Sequence, residues 1–142
     1  MADKLVIIGW DGATWAYIEP LLARGELPHL ASLVARGARA TLHSTIPPFT
    51  NIAWPSLVTG LSPAKTGVFD GARTVSGSYQ SLPTNLAGYR GTPIWQWVNR
   101  FGRRAGVLNV PMTFPAQPVD GYLVCGFDSP RHSEKVAYPR EI

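Results

Sequence analysis

The sequence predicts an α/β fold in which a mostly parallel sheet carries helices on both faces. Three observations point there. Short apolar runs lack the polar alternation of a half-exposed strand, stretches with helical apolar spacing lie between them, and glycine or proline marks the junctions. Four runs qualify as strands, at residues 5–8, 38–42, 105–110 and 122–125, so the sheet is expected to be small.

Leu5-Val6-Ile7-Ile8 reads as the first buried strand, and it runs out through Gly9-Trp10 into Asp11-Gly12. A carboxylate then stands at the end of a strand, where α/β proteins bind ligands. Trp15, Ile18, Leu21 and Leu22 recur at helical spacing and stop at Arg24-Gly25, where a glycine can take the left-handed C-terminal conformation. Pro28 opens a second helix with Leu30, Leu33 and Val34 on one face, Gly37 closes it, and residues 38–42 follow as a strand.

Pro47-Pro48-Phe49 makes a stiff approach to Thr50, and the apolar segment from Ile52 to Val58 reads as a helix ending near Gly60. Pro55 interrupts that reading. An interior proline costs about 3 kcal/mol, which predicts a helix beginning after Asn51 or one with an irregular first turn. Residues 61–92 hold Gly67, Gly71, Gly77, Gly88, Pro63 and Pro83 with few apolar runs, and are expected to form a long irregular excursion.

Thr92-Pro93 supplies an N-cap and a first-turn proline for a helix carrying Ile94, Trp95, Trp97, Val98 and Phe101, ended by Gly102. Residues 105–110 then form a strand, Pro111, Pro115 and Pro118 a rigid loop, and residues 122–125 another short strand. The tail, residues 127–142, shows neither period. With no repeat or linker, one domain is expected.

The 142 residues, 45% of them hydrophobic, suffice for one α/β core. The net charge of +4 comes from 13 basic and 9 acidic residues, and only Arg100, Arg103 and Arg104 cluster. That cluster reads as the solvated end of a helix; no nucleic-acid groove is evident, and a small anionic substrate fits the balance. The single Cys125 excludes an internal disulfide and sits in an apolar strand, where it packs. No run is apolar enough for a signal peptide or a membrane span, so a cytoplasmic protein is expected. Neither G-x-G-x-x-G nor G-x-x-x-x-G-K-[ST] occurs, which argues against nucleotide loops of those kinds.

Three residues stand out as candidates for chemistry. Asp11 reads either as a turn and capping residue or as a hard oxygen ligand for a metal. Thr50 reads either as a helix N-cap or as a hydroxyl beside backbone N–H groups that favour an anion. Asn51 reads either as a surface asparagine or as an amide donor to a phosphate. His29, His43 and His132 lie in a helix start, a strand end and the tail, without the setting of metal ligands.

The words around these residues carry a resemblance. Gly9-Trp10-Asp11-Gly12, Leu27-Pro28-His29-Leu30, Pro47-Pro48-Phe49-Thr50, Ala53-Trp54, Thr59-Gly60-Leu61-Ser62-Pro63, Gly106-Val107-Leu108-Asn109-Val110-Pro111 and Gly126-Phe127 occur in order. Together the chain resembles the alkaline phosphatase superfamily, in particular its type I phosphodiesterase and nucleotide pyrophosphatase branch. The resemblance implies metal-dependent hydrolysis of a small phosphate ester through a covalent phosphothreonine at Thr50. Asp11 and Thr50 would be metal ligands, Asn51 a substrate contact, and the metals two zinc ions or manganese.

The sequence departs from that pattern in places. Lys65-Thr66-Gly67 stands where relatives have Lys-His-Gly, and Gly71 follows Asp70 where nucleotide pyrophosphatases place an asparagine. Such relatives take most metal ligands from Asp and His residues of a second half, and none of those is identified here. The chain is therefore expected to be the N-terminal portion of such a domain, weakly active or inactive alone. The alternatives are a non-catalytic relative that binds an anion or a partner, self-associating through an exposed sheet edge, and a phosphomutase of the same superfamily. Thr50 argues against a sulfatase, which needs cysteine or serine there.

Overall fold

The computed structural model describes residues 4–85 and 88–142 and divides into two compact units, Met1–His43 and Ser44–Ile142. The first holds helices α1 (Trp15–Ala23) and α2 (Pro28–Arg36). Thr14 caps α1, its side chain accepting from the Ala16 N–H. Gly25 at φ 72° turns the chain off the helix as expected, with its N–H on the Leu22 carbonyl and that of Glu26 on the Leu21 carbonyl. Pro28 occupies the first turn of α2, where its missing N–H costs nothing.

Two expected strands are corrected in this unit. Residues 5–8 and 38–42 form no ladder, and Leu5, Val6, Ile7 and Ile8 are 62–79% exposed. An apolar run becomes a strand only when a neighbour accepts its hydrogen bonds, and among the described residues neither run pairs with one. The segment after α2 is held instead by side chains: Trp15 Nε1 donates to the Ala40 carbonyl at 3.1 Å, and Arg39 stacks on the Trp15 ring and ion-pairs with Glu19.

The second unit contains α3 (Thr50–Thr59), α4 (Pro63–Thr66), β1 (Ala72–Thr74), β2 (Ser81–Pro83), α5 (Ile94–Arg100), β3 (Ala105–Val110), β4 (Gly121–Cys125) and β5 (Ala137–Tyr138). The sheet order is β3-β4-β5, with β3 and β4 parallel and β4 and β5 antiparallel. The architecture is α/β with a small mixed sheet, which replaces the mostly parallel sheet expected. Nor is the sheet buried on both faces. Val107 and Leu123 pair in register and are buried, while Leu108 is 68% and Tyr122 46% exposed.

At Asn109 the register shifts by one residue and φ reaches 53°, a bulge that asparagine tolerates well. β5 lies in the tail that showed no period. Two residues are too few to carry an alternation, and their partners in β4 decide them.

The excursion at residues 61–92 also holds more order than expected. α4 is one turn, and β1 and β2 form an antiparallel hairpin with Gly77 at φ 75° in its connection. The cap of α5 is Pro93, whose carbonyl accepts from the Gln96 and Trp97 N–H groups; Thr92 lies outside it. The core of this unit joins Ile52 and Val58 of α3 to Val68, Tyr89, Trp95, Val107, Met112, Val119, Leu123 and Cys125.

Candidate functional site

The chain enters α3 through Thr45-Ile46-Pro47-Pro48, where the Thr45 hydroxyl donates to the Pro47 carbonyl at 2.9 Å. Phe49 is extended at φ −102°, ψ 143°, and makes the N-cap without a side-chain bond. Its carbonyl accepts from Ile52 at 3.0 Å and Ala53 at 2.8 Å, so the N–H groups of Thr50 and Asn51 lie at the open end of the helix.

Thr50 is therefore the first helical residue and not the N-cap, and it is half-buried. The expected late start or irregular first turn is corrected: α3 begins at Thr50 and runs through Pro55 to Thr59. Pro55 withholds one helical N–H, but its ring is fully buried, and Ile52, Pro55 and Val58 place one face of the helix in the core. The helix stops at Gly60, φ 70°, with the Thr59 hydroxyl donating to the Pro55 carbonyl at 2.6 Å.

Asn51, next in the first turn, is half-buried and stands against Gly71, so that a Cβ on residue 71 would collide with Asn51 Nδ2. This pairing was not visible in the sequence, where the two residues lie in different elements and neither marks the other. Asp11 belongs to the other unit. It is exposed in the Asp11-Gly12 turn, with Gly12 at φ 69°, and it follows an exposed segment rather than a sheet strand.

Thr66, in the Lys65-Thr66-Gly67 word, is fully buried and structurally employed. Its hydroxyl donates to the Pro63 carbonyl at 3.1 Å and accepts from the Val68 N–H at 3.4 Å, while its carbonyl accepts from Arg90 at 2.8 Å. A cleft of about 210 Å³ lies beside it, lined by Val68, Phe69, Asp70, Ala72, Thr84 and the glycines 67 and 88. That is below the roughly 300–1,000 Å³ of an ordinary ligand pocket. Asp70, its only carboxylate, accepts from the Gly71 N–H at 2.6 Å.

Cys125 is buried, as expected of a packing residue. Its thiol donates to the Thr113 carbonyl at 3.3 Å, and burial raises it above its ordinary value, against the hydrogen bonds of Thr113 and Ser129. A thiol held protonated is a poor nucleophile. Trp95 packs in the core, and Trp97 is partly exposed under Arg100 at 4.7 Å.

His29, His43 and His132 are all exposed. Among the described residues no group of three or more His, Cys, Asp or Glu side chains can hold a metal ion, and no helix is long and apolar enough to cross a membrane.

Compared with known families, residues 5–140 match the model described as type I phosphodiesterase / nucleotide pyrophosphatase. No curated protein and no solved structure matches the chain significantly.

Proposed function

The chain belongs to the type I phosphodiesterase / nucleotide pyrophosphatase family, and from that premise we propose that it carries the nucleophile segment of a metal-dependent phosphoester hydrolase, with Thr50 as the nucleophile. Phosphoester hydrolysis is the family's chemistry. The observation that carries the residue assignment is the place of Thr50 as first residue of α3, on a helix anchored in the core by Ile52, Pro55 and Val58.

In the first step Thr50 Oγ1 attacks phosphorus. The new O–P bond forms as the ester bond to the leaving oxygen breaks, and the hydroxyl proton ends on that oxygen. Backbone N–H groups at the start of α3 favour the negative phosphoryl oxygens. Water then attacks the phosphothreonine, restoring the hydroxyl and releasing the phosphoryl product. Asn51 contacts the phosphoryl group, and the substrate is a small phosphate ester.

The family is generally dependent on divalent metal, yet the donors described here do not make a metal site. Asp11 and Thr50 are two oxygen donors, where a catalytic zinc takes three protein ligands, and no larger group of ligating side chains is present among the described residues. Our reading assigns Asp11 and Thr50 to a zinc or manganese centre whose other ligands come from residues outside this chain. The isolated 142-residue chain is then weakly active or inactive.

A second reading, a non-catalytic domain that binds a partner, is favoured by the exposure of Leu5, Val6, Ile7 and Ile8. Two measurements separate them. With bis-p-nitrophenyl phosphate and zinc or manganese, any turnover should vanish in Thr50→Ala, and robust turnover that survives the substitution sinks the nucleophile assignment. In calorimetry, zinc binding abolished by Asp11→Ala supports the hydrolase reading, whereas no binding together with a stable oligomer favours the second.

A further inference from the structure

We draw no further inference here: the strongest candidate, the surface patch at the C-terminal end of α5 where the exposed rings of Trp97 and Phe101 accompany Arg100, Arg103 and Arg104, carries nothing, because nothing in the structure shows what covers it.

Discussion

Shortening Ile52 to alanine tests whether packing holds the Thr50 helix in place. Ile52 is 0% exposed, two residues beyond Thr50, in the cluster that includes Val58, Val68, Trp95 and Leu123. The substitution deletes three buried carbons, worth about 2.4 kcal/mol at about 0.8 kcal/mol each. A residual cavity of roughly 40 Å³ adds about 1 kcal/mol, for a total near 3.5 kcal/mol.

In a unit of this size each kcal/mol moves the melting temperature by about 4–8 °C, so Ile52→Ala should melt roughly 14–28 °C below wild type. Urea titration followed by tryptophan fluorescence gives the free energy directly, with an unchanged slope showing that the native and unfolded surfaces are the same. Ile52→Val should cost only about 1 kcal/mol. An alanine variant within about 1 kcal/mol of wild type would refute the claim that α3 is anchored through this residue.

Two further outcomes follow from the same unit. Thr113 is fully buried, its hydroxyl donating to the Val110 carbonyl at 2.6 Å and accepting from the Gly126 N–H at 3.1 Å; Thr113→Val should cost about 2–4 kcal/mol by urea unfolding, whereas Thr113→Ser keeps both bonds, and equal stability of the two would contradict the hydrogen-bond assignment. Burial raises the Cys125 thiol above 9.0 and the Tyr89 phenol above 10.0. The native state then holds protons that the unfolded chain releases, so this stability is full below about pH 9 and is lost as pH climbs beyond it. Urea midpoints at pH 7.5 and 10.5 should show the fall, and C125A/Y89F should flatten it; an unchanged slope in that variant would assign the effect to other groups.

Local signals in the sequence proved sufficient for α1, α2 and the body of α5, but not for the one-turn α4, which lies in the stretch read as irregular. Gly25 and Gly102 take positive φ where their helices end, and Pro28 sits in the first turn of α2, because these preferences depend on a residue's own backbone. The proline in α3 misled for the same local reason: its helix penalty is legible, while the burial of its ring is not. Strands fared unevenly. Residues 105–110 and 121–125 pair as parallel neighbours, but among the described residues the runs 5–8 and 38–42 form no ladder, and the two-residue β5 was invisible. A ladder is a relation between distant segments, and composition records only one side of it.

The candidate site divides in the same way. By itself the sequence determined the family, and with it phosphoester hydrolysis as the family's chemistry, because residue types and short words are local signals and the family model matches residues 5–140. Only the tertiary structure decided that Thr50 is the first residue of α3 rather than its cap, that Thr66 is consumed in closing α4, and that Gly71 is small because the Asn51 amide stands over it. Those are questions of which atoms share a volume, and close packing answers them only after the chain has folded.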